Sequence, residues 1–243
     1  MLKLLPTFVI PDFLSSTELE LMQNLIQSEG TVKLLGIDPD MYGADRQQNS
    51  GLFAHIWALT TNGNNHRVEE FFLSKLTPIL PCTPLLYDVW FQTQVKPLGF
   101  HTDYDDIFAP RVLPNDQLPY YTILIPSEDT DIDLYTILAN EGSSKYCILK
   151  DYIEHDHALP LPMDQCITSE FFNQYLSHCP VIEREYFSLY QNCKWKKGQL
   201  LAFDRRRFHA GHNYLKDNAS HKNFFLAFSF VNADEYKTYI NSE

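Results

Sequence analysis

His101, Asp103 and His209 are the residues of this sequence whose types and spacing could do chemistry. In His101-Thr102-Asp103 an imidazole and a carboxylate stand two residues apart. On an extended segment such side chains share a face, because strand side chains alternate with a period of two. A second imidazole from a distant strand, His209, completes a set of two histidines and one carboxylate. That set suits non-haem Fe(II), since it occupies one side of the ion and leaves positions open, whereas thiolates would favour zinc or iron–sulfur sites. Taken alone, H-x-D is a common tripeptide, and a loop pair making local hydrogen bonds accounts for it better than a metal site does.

The rest of the chain must therefore supply elements that bring these side chains together. Ser15-Ser16-Thr17-Glu18 reads as a capping box, and Leu21, Met22, Leu25 and Ile26 follow at helical spacing, which predicts a helix over 16–29. Val68, Phe71, Phe72, Lys75 and Leu76 predict a second helix over 67–76, ended by Pro78. Between them, 36–65 reads as Asp-, Asn-, Gln- and Gly-rich loops around one or two strands, with an apolar run at 52–59. After Pro84, short apolar and aromatic runs alternate with Pro, Gly, Asp and Asn clusters. These are strand and turn signals, and the predicted strands are 86–95, 120–126, 134–138, 199–203 and 224–231. The stretch 150–196, with helical character at 169–176 and 182–189, reads as an insertion within a single domain spanning 1–243.

Composition narrows the function classes. Hydrophobic residues are 44% of the 243 and aromatics 14%, with 17 Phe and 14 Tyr, enough for a large core and biased towards strands. The formal charge of -12 argues against nucleic acid and anionic membrane as partners, since both require positive surface potential. Cys82, Cys147, Cys166, Cys179 and Cys193 are odd in number and form no C-x-x-C pair, which argues against a disulfide framework or structural zinc. Pro6 interrupts the apolar start before a signal-peptide core develops, so a cytoplasmic protein is expected.

The C-terminal half gives the tripeptide its context. Lys197-Gly198-Gln199-Leu200-Leu201-Ala202-Phe203-Asp204 reads as turn, strand and turn, and leads to Phe208-His209-Ala210-Gly211. Lys222 then opens the apolar strand at 224–230. The order H-x-D, G-x-L-x-x-F-D, H-A-G and a basic residue opening a last strand resembles the Fe(II)- and 2-oxoglutarate-dependent dioxygenases, especially their prolyl 4-hydroxylase-like branch. Phe8-Val9-Ile10-Pro11-Asp12-Phe13-Leu14-Ser15 before a helix also looks like the opening of that branch.

The resemblance implies a mainly β fold, a double-stranded β-helix (a cupin-like jelly roll) with N-terminal α-helices flanking it. It implies His101, Asp103 and His209 as iron ligands and Lys222 as the cation for the distal carboxylate of 2-oxoglutarate, a role that many relatives give to Arg. Tyr120 and Thr122, on one face of the strand after H-x-D, fall where the family contacts the co-substrate; an ordinary core tyrosine and strand threonine are the alternative. Gln92 and Gln94, on the preceding strand, are open to the same two readings. The implied cofactors are Fe(II), 2-oxoglutarate and O2, with ascorbate as a candidate reductant. The implied reaction is hydroxylation of a small molecule, amino acid or peptidyl residue with release of succinate and CO2. Related halogenases have Gly or Ala where Asp103 stands, so an Asp there implies hydroxylation over halogenation, with desaturation and ring formation left open.

Several alternatives stay open at the level of sequence. His212 competes with His209 as third ligand, although His-Ala-Gly is the closer match. His221, beside Lys222, is a poorer choice, and His155-Asp156-His157 reads as a solvated loop. Arg205-Arg206-Arg207 reads as a turn paired with surface carboxylates, and Trp90 and Trp195 as core. A metal enzyme without 2-oxoglutarate and a non-catalytic barrel that binds a ligand are the rival functions.

Overall fold

The computed structural model describes residues 4–37, 51–60, 67–101, 103, 120–140 and 161–242. Its elements in chain order are β1 (Phe8–Ile10), α1 (Ser16–Glu29), β2 (Thr31–Ile37), β3 (Gly51–Thr60), α2 (Arg67–Leu76), β4 (Pro84–Gln94), β5 (Tyr120–Pro126) and β6 (Tyr135–Asn140). There follow α3 (Ser169–Tyr175), β7 (Ser188–Lys194), β8 (Leu200–Asp204), β9 (His209–Gly211), β10 (Lys222–Val231) and α4 (Ala233–Ile240). A large antiparallel sheet has the order β1-β8-β5-β10-β4-β3-β2, and a smaller one the order β7-β6-β9.

The central strands of the large sheet are buried on both faces, which is why they read as continuous apolar runs. One face carries Val89, Phe91, Tyr121, Ile123, Ile125, Leu200, Ala202, Phe225 and Ala227, packed in one core with Leu19, Met22 and Ile26 of α1 and Val68, Phe72 and Leu76 of α2. The other face turns Leu124, Leu201, Phe203 and Phe224 towards Leu138 and Cys193 of the small sheet. The chain alternates between sheets as it passes from β5 to β6 and from β8 to β9 to β10. Two facing sheets with this alternation form a jelly-roll sandwich.

Local chemistry sets the ends. Ser15 caps α1, its hydroxyl accepting from the Glu18 N–H at 3.3 Å while the Glu18 carboxylate accepts from the Ser15 N–H at 2.8 Å. The same carboxylate lies 2.6 Å from Lys75 Nζ and ties α1 to α2. The Lys75 hydrogen bond, with those from Ser15, lowers the Glu18 pKa to about 2. Gly198 enters β8 at φ 73°, donates to Pro126 O and accepts from Leu14 N at 2.9 Å. A Cβ there would stand 2.0 Å from Leu14 O.

The segment at 182–189 departs from its helical reading. A short 3₁₀ turn covers Val181–Glu185, and Leu189 already belongs to β7, paired with Ala139 of β6. Pairing with β6 overrides the local periodicity there, so the stretch read as an insertion contributes a strand to the small sheet. The Arg-rich turn also differs: Arg206 grips Asp204 through Nε at 2.8 Å and Nη2 at 2.6 Å, and that carboxylate is fully buried and also accepts from Leu5 N. Arg205 and Arg207 are buried as well, the latter with its guanidinium 3.9 Å from the Tyr190 ring centre.

Gly198→Ala combines a disfavoured φ with a backbone clash, and we expect it to lower unfolding stability by about 2 kcal/mol or more, measured by urea denaturation.

Candidate metal centre

The two histidines meet through their backbones. The His101 N–H donates to His209 O at 3.0 Å and the His209 N–H to His101 O at 2.9 Å, an antiparallel bridge that sets His101 beside β9. Their rings lie on one face with centres 4.1 Å apart. Each Nδ1 faces a main-chain carbonyl, Gly99 O at 2.8 Å from His101 and Arg207 O at 3.2 Å from His209. A carbonyl only accepts, so Nδ1 carries the proton and the Nε2 lone pair points to the shared space. His101 Nε2 stands 3.6 Å from Asp103 Oδ1, and His209 Nε2 stands 3.6 Å from Asp103 Oδ2. One ligand atom from each residue lies within 4.8 Å of the others.

Burial first, and the neighbouring His209 next, push the His101 pKa down to about 3, so its imidazole is neutral across the physiological range. A depressed histidine pKa stabilises the fold fully above the unfolded value, and that contribution is lost as pH falls from about 6.5 towards 3. Asp103 is braced from two sides: its N–H donates to Arg205 O at 3.0 Å, and its Oδ2 accepts from the Thr122 hydroxyl at 2.5 Å. Arg205 belongs to the turn that Asp204 and Arg206 stitch together, which leads from β8 to β9.

A cavity opens beside the triad. Its walls include Gln92 and Gln94 of β4, Thr122 and Leu124 of β5, and Lys222, Phe224, Leu226 and Phe228 of β10, all facing the small sheet. Lys222 is 5% exposed, with its Nζ 4.5 Å from the Trp195 ring centre, 5.3 Å from Phe224 and 5.7 Å from Tyr214. No carboxylate pairs with it among the described residues, and burial pushes its pKa down to about 7. Gly211 makes room for it, since a Cβ there would stand 3.2 Å from Nζ.

The structure thus brings His101, Asp103 and His209 together and places Lys222 and Thr122 on the same cavity. Tyr120 opens β5, but its side chain lies outside the described residues, as do His155, Asp156 and His157. His212 is buried elsewhere, its Nε2 3.0 Å from Asp217 Oδ2 and its ring against Tyr135 and Tyr175. His221 is exposed. The Gln94 side chain donates to Lys96 O at 2.6 Å, while the Gln92 side chain makes no hydrogen bond among the described residues. Trp90 and Trp195, read as core, line the cavity with Thr136, whose hydroxyl accepts from Trp195 Nε1 at 2.8 Å. The shared parity of Trp90, Gln92 and Gln94 on one strand was the available signal; Trp195 and Thr136 gave none.

Two imidazoles and one carboxylate at this spacing fit Fe(II), and Lys222 lies on the wall of the same cavity. No protein-family model matches the chain, and no curated protein matches its sequence. Among solved structures it is similar to the non-haem α-ketoglutarate-dependent carbocyclase SnoK from nogalamycin biosynthesis, with a TM-score of 0.53 and 13% identity over 93% of this chain and 80% of that one. It is also similar to the non-haem α-ketoglutarate-dependent epimerase SnoN from the same biosynthesis, with a TM-score of 0.52 and 10% identity over 93% of this chain and 79% of that one. The chain therefore has the fold of these two non-haem enzymes. No helix among the described residues is long and apolar enough to cross a membrane.

Replacing His209 by Ala should weaken Fe(II) or Co(II) binding by a factor on the order of 100, whereas His212→Ala should change it less than about threefold, as measured by anaerobic titration. The metal-free protein should melt at progressively lower temperature as the pH is taken below about 6.5, and calorimetry across that range checks it.

Proposed function

We propose that the chain is an Fe(II)- and 2-oxoglutarate-dependent oxygenase of the prolyl 4-hydroxylase-like kind. In this reading it hydroxylates an unactivated C–H bond of a small molecule, amino acid or peptidyl residue and releases succinate and CO2. Lys222 carries the reading. A cation buried among aromatic rings, with no carboxylate beside it among the described residues, is costly unless a ligand supplies the counter-charge. A dicarboxylate reaching from the metal face to Lys222 supplies it.

When bound, iron supplies the activation of O2 coupled to decarboxylation of the co-substrate. The chain's residues bind, orient and exclude water. His101, Asp103 and His209 would hold the metal. Lys222 anchors the distal carboxylate as a point charge, while Leu124, Phe224 and Leu226 provide apolar walls along the cavity. Asp103 fills the position that must be empty for halide, which favours hydroxylation. The fold likeness to α-ketoglutarate-dependent enzymes agrees with this reading. Enzymes that use the same triad without 2-oxoglutarate are the rival, and Lys222 discriminates between the two.

Truncating one partner of a buried charge pair costs several kcal/mol, so Lys222→Ala should weaken 2-oxoglutarate binding by a factor on the order of 100. Unchanged co-substrate affinity and turnover in that variant would sink the assignment. The pH dependence has a definite sign. With the free Lys222 pKa near 7 and a higher value once a carboxylate sits beside it, binding takes up a proton above pH 7. Affinity for 2-oxoglutarate should therefore fall roughly tenfold between pH 6 and pH 8. Lys222→Arg, charged throughout, should flatten that dependence; isothermal titration in buffers of different ionisation enthalpy reads both the affinity and the proton uptake.

A further inference from the structure

We infer that Gln92 is the hydrogen-bonding contact for the substrate that is oxidised, and that this substrate is an uncharged, largely apolar molecule carrying a hydroxyl or carbonyl group. The assignment rests on the proposed Fe(II)- and 2-oxoglutarate-dependent function and narrows its substrate class. It starts from an amide without a partner. Gln92 is 4% exposed and lines the cavity, and its side chain makes no hydrogen bond among the described residues. Gln94, two residues on and just as buried, donates its amide to Lys96 O at 2.6 Å.

The backbone holds that amide in place. β4 is paired on both sides, and Gln92 stands between Ile56 of β3 and Phe224 of β10, in the middle of a sheet and not on a loop. A glutamine amide offers two donor hydrogens and an acceptor oxygen, and leaving them unmet in a buried site costs stability. An apolar side chain of similar size would line the wall without that cost. The glutamine is therefore a net loss to the fold unless a ligand meets it.

The surroundings define that ligand. The next side chain of β4 on the cavity face is Trp90, whose ring meets Phe228 edge-on with centres 5.2 Å apart. Both belong to an apolar cluster with Ala54, Ile56 and Ala58 of β3. Lys222 turns its Nζ to Trp195 and Gly211 instead, on the side where the co-substrate is proposed to sit. The ionisable side chains that line the cavity among the described residues are the triad and Lys222, and the proposed metal and co-substrate engage each of them. A zwitterionic amino acid would bury two more charges without partners, which is costly. A neutral molecule that lays apolar surface on Trp90 and Phe228 and turns one polar group to Gln92 meets both the walls and the amide.

The test uses the full chain loaded with Zn(II), a redox-inert stand-in for iron, and saturated with 2-oxoglutarate so that Lys222 is occupied. The probes are benzyl alcohol, toluene and L-phenylalanine, which share a ring and differ in carrying a hydroxyl, no polar group or a zwitterion. Ligand-detected NMR reads their affinities. Benzyl alcohol should bind the parent protein more tightly than L-phenylalanine by about tenfold or more. Gln92→Leu should weaken benzyl alcohol about tenfold, the worth of one neutral hydrogen bond, and leave toluene and 2-oxoglutarate within about twofold. The ligand-free variant should melt no lower than the parent, since it loses an unmet buried amide; a lower melting temperature would mark a structural role and overturn the inference. Undiminished benzyl alcohol binding by Gln92→Leu, L-phenylalanine bound as tightly as benzyl alcohol, no probe bound at all, or a loss of 2-oxoglutarate affinity in place of alcohol affinity would each overturn it too. Failure of the parent protein to bind 2-oxoglutarate would instead overturn the proposed function, and the role of Gln92 with it.

Discussion

The antiparallel backbone bridge between His101 and His209 is the constraint on which the site depends. Two hydrogen bonds join residues far apart in sequence into one cross-strand pair. Side chains directly opposite each other on paired strands share a face, so the bridge alone puts both imidazoles side by side. Asp103, in the turn beyond, is brought to them by its hydrogen bonds with Arg205 O and the Thr122 hydroxyl. The imidazole pair is thus a product of β-pairing, and hydrogen bonding completes the set. What secures the pairing is β9 itself, a three-residue strand held against β6 on one side and against His101 on the other.

The large sheet sets the depth of the cavity. Its outer face is filled by α1 and α2, and its inner face mixes apolar side chains with a few polar ones. Lys222 is one of those, and it sits where β10 begins, opposite Gln94 in register. Aromatic rings give a buried cation some compensation, but no full counter-charge. In the proposed function, that residual cost is what a bound carboxylate would offset. The two sheets contribute differently: His209 comes from the small one, and Lys222, much of the apolar wall and the Thr122 hydroxyl bonded to Asp103 come from the large one.

Much of this was legible in the residues. Capping at Ser15 and the apolar period marked α1, and the runs after Pro84 marked β4, β5, β6, β8 and β10 within a residue or two. Their apolar content is written in the chain because both faces are buried. β1, β7 and β9 were not legible, since they are short or carry mixed residues, and their partners alone define them. The segment 182–189 shows the same limit, because a helical spacing there yielded to pairing with β6. At the site, residue types and spacing pointed to His101, Asp103, His209 and Lys222. Local pattern favoured His209 over His212, since His-Ala-Gly is the closer match, and left His212 open; in the structure His212, just past the end of β9, turns to Asp217 and two tyrosines. Thr136 and Trp195 reach the cavity through folding alone and left no trace in the local sequence.

The central claim is that the triad and Lys222 together form one Fe(II)/2-oxoglutarate site. Its most direct test is an anaerobic optical titration, in which Fe(II) is added to the metal-free protein and 2-oxoglutarate is then added while the visible spectrum is followed. The account predicts a weak charge-transfer band that appears only after the second addition and saturates at one co-substrate per protein. A spectrum that stays flat with both present, while the protein remains folded, would contradict it.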